Sequence, residues 1–294
     1  MGYKTIVDTI GNTPLVELTR YRPHKRVRIF AKLEGANPGG SVKDRIARAM
    51  VLDARTRGIL DGGKEILEAT SGNTGIGLAM MSAVYCYKFT AVIPESVSAE
   101  RKKLLRLCGA QLLLTDGTKG TNFAIQVARE LAEKEKKRFI MLDQFTNHVN
   151  VRVHYETTGI EIIKDVPEIT HFVAGMGTGG TLMGVGQRLK EFNRNIKIIG
   201  VEPRAGSRIQ GLRNMAAYTP PIFTKDALDE TLLLEQDEQA FEFTRDLLKK
   251  DGISVGFSSG AALWGAIEIA KKLKEGTIVT LFPDKADRYL SCLV

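Results

Sequence analysis

The chain has 294 residues, 43% of them hydrophobic and 26% charged, which is enough for two α/β units with real cores and excludes a fibrous or disordered chain. Lys plus Arg number 42 against 34 for Asp plus Glu, and the net charge of +8 suits an anionic small molecule; no dense basic tract with interleaved aromatics supports nucleic-acid binding. The opening stretch MGYKTIVDTIGNTPL lacks the apolar centre of a secretory signal, and IGLAMMSAVYCY is too short to cross a bilayer. Cys86, Cys108 and Cys292 are scattered, which predicts a reducing cytoplasmic setting and packing roles rather than disulfides or a zinc site.

In chain order, short Val- and Ile-rich runs alternate with helical patterns. Strands are expected over 28–32, 65–69, 90–93, 111–115, 140–143, 171–174, 197–202 and 277–282. Helices are expected over 42–57, 74–87, 99–107, 122–136, 155–165, 181–192, 237–250 and 261–273. This alternation predicts mostly parallel sheets covered by helices on both faces. With a seam near Gln144 to Val153, it predicts two α/β lobes with a cleft between them.

The first unusual segment is NPGGSVKDR, residues 37–45. Lys43 falls in the first turn of a helix, where the dipole disfavours its protonated form, and burial would lower its pKa further. A lysine so placed is either a solvated surface residue or an amine tuned for Schiff-base chemistry. Ser41 and Asp44 have capping-box spacing. The next segment, EATSGNTGIGLAMM, reads as strand, polar glycine loop and apolar helix. Thr70, Ser71, Asn73 and Thr74 offer hydroxyls and an amide where an anion is readily captured, unless this is only a capped turn.

HFVAGMGTGGTLMGVG repeats that architecture. Gly175, Gly177 and Gly180 satisfy the dinucleotide fingerprint G-x-G-x-x-G, with Glu202 at the end of the following strand. Gly177 to Thr181 equally make a phosphate cup, and the spacing alone leaves both readings open. VGFSSGAALWGA matches the nucleophile elbow around Ser258. All four histidines, His24, His148, His154 and His171, precede it, so the hydrolase order fails. Ser258 is then a hydroxyl at a strand end facing a site, or a helix cap. Gly58 to Lys64 resemble a Walker A loop, but Glu65 replaces its hydroxyl residue and the helix-to-strand context is inverted.

In combination, IGNTPL, KLEGANPGGSVKDR, TSGNTG, GTGGT, SSGAA and DRYLS occur in one order along nearly the whole chain. This set resembles the cysteine synthase family of fold-type II pyridoxal-phosphate enzymes, in its B-type branch. The resemblance implies a two-lobed α/β fold like that of the tryptophan synthase β chain. Its smaller, mobile domain would span 36–146, and 1–35 with 147–294 would form the larger, cofactor-anchoring domain.

It implies that Lys43 binds the pyridoxal 5'-phosphate aldehyde and later serves as general base and acid. Asn73 would meet the cofactor's 3'-oxygen; Gly177, Thr178, Gly179, Gly180 and Thr181 its phosphate; Ser258 its ring nitrogen. Thr70, Ser71, Thr74 and Gln144 would hold the substrate carboxylate. The implied reaction is β-replacement on O-acetylserine or O-phosphoserine by a sulfur nucleophile, giving L-cysteine, in a cytoplasmic homodimer. Relatives that prefer O-phosphoserine use an arginine in the segment here written GLRNMAAYTPP, which singles out Arg213. FPDKADRYLS departs from commoner versions of its motif at 282–285, which leaves the contacts of Asp284 open. Serine/threonine dehydratase and cystathionine β-synthase chemistry are the rivals with the same cofactor, and the chain's end soon after DRYLS predicts no appended regulatory domain. A nicotinamide oxidoreductase using the G-x-G-x-x-G match is the rival from another class.

Overall fold

A computed structural model describes residues 2–70 and 72–293. It contains two sheets. The six-stranded sheet has the order β1 (Leu15–Glu17), β2 (Val27–Leu33), β10 (Gly276–Phe282), β7 (His171–Gly175), β8 (Lys197–Pro203) and β9 (Glu230–Leu234). The four-stranded sheet has the order β5 (Gln111–Thr115), β4 (Phe89–Pro94), β3 (Glu65–Ala69) and β6 (Phe139–Met141). Every pairing is parallel except the β1–β2 edge.

Parallel strands need helical crossovers, and those helices bury both sheet faces. The central strands β3 and β4 are accordingly buried at every residue. One face of the small sheet packs under α1 (Lys43–Thr56), α2 (Asn73–Tyr85) and α3 (Ala99–Leu107), joining Ile46, Met50, Ile66, Ile76, Ala91 and Leu105. The other packs Leu67, Val92 and Phe139 against Ala124, Ile125 and Ala128 of α4 (Gly120–Lys134). In the large sheet, Ile29, Val173, Val201 and Ile278 meet α8 (Asp237–Asp251) and α9 (Phe257–Lys272). Phe172, Ile198 and Val279 face α6 (Gly159–Asp165) and α7 (Gly180–Phe192) on the opposite side. Each such side chain taken fully from water contributes about 1.5–3 kcal/mol before conformational entropy is set against it.

The structure departs from the sequence-based expectations in several places. Strands β1 and β9 were not anticipated: the first has only three residues, and ETLLL in the second carries a single β-branched side chain. The helix expected from Tyr155 begins at Val149, as α5 (Val149–Val153), and reaches α6 through a π-helical turn, His154–Thr158. Helix α9 starts at Phe257, not Ala261. Gly260, which reads as punctuation, is a packing residue, because a Cβ there would overlap the Ala240 carbonyl of α8. Cys86 is exposed rather than packed, at the left-handed cap of α2 with φ 58°. Cys108 is a half-buried free thiol, and the Cys292 side chain lies outside the described residues.

Candidate active site

Ligands of open α/β sheets collect where strands end at their carboxyl edges. Here the ends of β3, β7 and β10 lead into TSGNTG, GMGTGG and FPDKAD. A cavity of about 510 Å³ opens there, lined by Lys43, Asn73, Thr74, Gln144, Phe145, Gly177, Thr178 and Arg213, among others. A second cavity adjoins it, sharing Lys43, Asn73, Gly177 and Thr178 and adding Gly179, Thr181 and Ser258.

Lys43 is the first residue of α1, and its N–H donates to Ser41 Oγ at 3.2 Å. Only half of the Ser41–Asp44 box forms: the Asp44 carboxyl accepts from the Ser41 backbone, while Ser41 Oγ takes the Lys43 N–H and not that of Asp44. Asp44 also reaches back to accept the Gly39 N–H at 2.6 Å, pinning the double-glycine loop. From the other side, the Arg288 guanidinium of DRYLS donates to the Gly39 and Gly40 carbonyls. The Lys43 side chain is half-buried at the cavity floor. Desolvation lowers its amine from 10.5 to about 8, with nearby Asp284 opposing the shift. At neutral pH about a tenth of the amine is then unprotonated, against a few parts in ten thousand for a solvated lysine.

The loop after β3 is built around Thr70, whose Oγ accepts the N–H groups of Gly72 at 2.9 Å and Gly75 at 3.1 Å. Thr70 is buried beneath the loop rather than lining the cavity, and Ser71 lies outside the described residues. Helix α2 begins one residue earlier than expected, at Asn73. Thr74 Oγ donates to Gln144 Oε1 at 2.6 Å, and Gln144 Nε2 donates to the Ala69 carbonyl at 3.0 Å. Gln144 is held from behind by Glu68, whose buried carboxylate accepts the N–H groups of Asp143 at 2.8 Å and Gln144 at 3.1 Å. Burial pushes the Glu68 carboxyl up to about 8, against the pull of those two donors.

Asn73 Nδ2 donates to Asp284 Oδ2 at 2.6 Å, and Tyr289 OH donates to the same oxygen at 2.6 Å. These are the Asp284 contacts the unusual FPDK segment left open. Asn73 Oδ1 is buried and has no partner among the described residues. Gly177 to Thr181 bend from β7 into α7, with Gly179 at φ 90°. A Cβ at Gly177 would meet the Gly211 carbonyl at 2.7 Å, and one at Gly180 would overlap Asn150 Oδ1. No side chain among the described residues caps the start of α7, which leaves its first-turn amides available to an anion. Ser258 is neither at a strand end nor a cap; it is the second residue of α9, buried and facing the second cavity.

The dinucleotide reading loses its acidic partner. Glu202 Oε1 accepts the Met215 N–H at 2.7 Å and fixes the segment after β8. Arg213 on that segment is half-buried and donates to Asn122 Oδ1 at 2.5 Å. Its guanidinium carbon lies 5.1 Å from the ring centre of Phe145 and 4.9 Å from that of Tyr218. Burial lowers its pKa from the ordinary value. Sequence reasoning missed the buried Glu68, Arg45, Asn150 and His154, none of which lines the two cavities described above. Arg45 is buried, bridging Glu34 at 2.7 Å and Glu161 at 2.6 Å, and so ties the Lys43 turn to the short turn that follows β2 and to α6.

An amine poised to be neutral and, across the same cleft, a bare helix amino terminus fit an aldehyde-bearing phosphate such as pyridoxal phosphate. Comparison with known proteins agrees. Residues 6–284 match the family described as pyridoxal-phosphate dependent enzyme. The chain is 48% identical to a cysteine synthase of Aquifex aeolicus, over 98% of this chain and 91% of that one. It is 42% identical to cysteine synthase B of Salmonella typhimurium, over 98% and 94%. A hydrogen sulfide-producing enzyme from Fusobacterium nucleatum superposes with a TM-score of 0.93 at 39% identity, covering 98% of this chain and 100% of the other. The chain belongs to the pyridoxal-phosphate-dependent enzymes, among the cysteine synthases.

Proposed function

We propose that this enzyme makes L-cysteine by replacing the β-oxygen substituent of an activated L-serine, O-acetylserine or O-phosphoserine, with a sulfur nucleophile. The observation that carries the reading is Lys43: one amine, lowered to about 8, opening onto both cavities. Lys43 would hold the cofactor, with Asn73, Gly177 to Thr181 and Ser258 around it. When bound, pyridoxal phosphate supplies a carbonyl that captures the substrate amine and a ring that withdraws electrons from Cα. Thr74 and Gln144 orient the substrate carboxylate, and Thr70 acts from beneath by fixing the backbone of their loop. Neutral Lys43 takes the Cα proton, the Cβ–O bond breaks as acetate or phosphate leaves, the Cβ–S bond forms, and Lys43 returns a proton to Cα. Residues 36–146 close over the captured carboxylate and exclude water from the reacting carbon. A neutral serine at the ring nitrogen favours elimination over a long-lived carbanion.

Arg213 makes O-phosphoserine the favoured substrate, because a guanidinium can grip a phosphate bidentately at the cavity wall. The enzyme works as a cytoplasmic homodimer. The free thiols Cys86 and Cys108 support the reducing setting. No helix among the described residues is long and apolar enough to cross a membrane. The test is turnover of both activated serines with sulfide, before and after Arg213→Ala. A loss at least ~10-fold larger with O-phosphoserine supports the assignment, and equal losses refute it. Pyruvate and ammonia as the main products, in place of cysteine, would instead indicate a dehydratase.

A further inference from the structure

Two buried polar side chains on one helix face have no role in that reading. Asn150 and His154 are both fully buried and stand four residues apart, so they share a face of the α5 segment. Opposite them on α7 stand Gly180 and Gly184, also four apart. A Cβ at Gly180 would overlap the Asn150 amide, and one at Gly184 would overlap the Val151 carbonyl and lie 2.8 Å from His154 Cβ. The glycines therefore let the two helices approach until both polar ends pass under the first turn of α7.

Asn150 Nδ2 is 3.1 Å from Thr178 Oγ and 2.9 Å from the Gln144 carbonyl oxygen. His154 Nε2 is 3.3 Å from Thr181 Oγ, and its Nδ1 is 2.9 Å from Thr158 Oγ. The imidazole opens the π-helical turn, a distortion that often marks a functional position. Burial, with the Arg45 and Lys43 cations nearby, lowers its pKa to about 3, so it is a neutral ring with one N–H.

We propose that Asn150 and His154 are positioning residues for the cofactor phosphate, each donating a hydrogen bond to a threonine hydroxyl of the cup so that the hydroxyl hydrogens of Thr178 and Thr181 point at the anion. This rests on Gly177 to Thr181 being that cup. A hydroxyl has one hydrogen, and a dianion needs donors. If Thr181 spent its hydrogen on His154, it would present only lone pairs to the phosphate. The arrangement therefore selects the Nε2–H tautomer, with Nδ1 accepting from the Thr158 hydroxyl. Asn150 gives its other hydrogen to the Gln144 carbonyl, so one side chain fixes both the cup and the loop proposed to hold the substrate carboxylate.

The test measures binding of pyridoxal 5'-phosphate and of pyridoxal, which lacks the phosphate, to apoprotein. His154→Leu should weaken pyridoxal phosphate about 10-fold and leave pyridoxal within about 2-fold, because only the phosphate meets the cup. His154→Gln, whose amide can donate near the Nε2 position, should recover most of the loss. Asn150→Ala should discriminate as His154→Leu does. Equal weakening of both ligands, or none, overturns the proposal. Thr181→Val separates the two levels: if it discriminates while His154→Leu and Asn150→Ala do not, the positioning role fails alone. If Thr181→Val does not discriminate, the cup reading fails and this inference with it. Independently of any variant, nitrogen-15 NMR of the wild-type holoenzyme should show His154 protonated at Nε2; protonation at Nδ1 overturns the proposal.

Discussion

The setting that lowers the Lys43 amine should also cost stability, and the cost should depend on pH. Its value falls from 10.5 in the unfolded chain to about 8 in the fold. Below the folded value both states bind the proton, and the charged amine penalises the fold by about 3 kcal/mol, from 1.36 kcal/mol per pKa unit. Between the two values the unfolded state binds more protons, so stability rises with pH. Above the unfolded value the penalty is gone. Lys43→Met, similar in length and without charge, should therefore stabilise the apoprotein by about 3 kcal/mol near pH ~7, and by only about 1 kcal/mol near pH ~9.5. Solvent reaching the half-buried amine through the cleft would shrink both figures in proportion. Urea unfolding of apoprotein and variant at the two pH values measures the difference directly. A variant that is less stable, or whose advantage does not change with pH, would refute the argument that Lys43 is desolvated.

Three further outcomes follow from the buried network. Arg45→Met leaves Glu34 buried without its guanidinium partner and should cost about 3–5 kcal/mol near neutral pH. Arg45 holds Glu34 and Glu161 below their usual range. Wild type should therefore lose stability as pH falls through about 4.5 and lower, and the gap to the variant should narrow there, as unfolding curves across that range can show. Glu68→Leu removes the acceptor of two buried N–H groups; it should cost about 2–4 kcal/mol by chemical unfolding and raise KM for the amino-acid substrate more than it lowers retention of cofactor. Gly177→Ala drives a Cβ against the Gly211 backbone, 2.7 Å away, and should release cofactor on dialysis while leaving Cys86 reactivity unchanged.

The parts of the fold legible in the sequence were those whose signal is local. The core strands read as apolar runs because helices cover both faces, as in β3 and β4. Lys43, Asn73 and Gly177 to Thr181 were legible because each sits in a short segment whose glycines and hydroxyls follow directly on a strand or loop. Ser258 was misplaced because Ser-Ser-Gly looks like a helix start, whereas Gly260 is there to admit α8. The G-x-G-x-x-G match with Glu202 was open to two readings, and the bond from Met215 to Glu202 weighs against the dinucleotide. Glu68, Asn150 and His154 could not be found from local pattern alone, since each acts on residues distant in sequence or through another side chain. One signal was available: the small residues at 180 and 184 match the 150 and 154 spacing, which is how two helices come close enough for polar side chains to pass between them.

Every role proposed for the cleft depends on Lys43 carrying the cofactor. Reducing the purified holoenzyme with borohydride, digesting it and locating the added mass tests this most directly. A single pyridoxyl-phosphate label is expected on the peptide containing Lys43, and none in Lys43→Met. A label on another lysine, or a Lys43→Met protein that is still labelled, would contradict it.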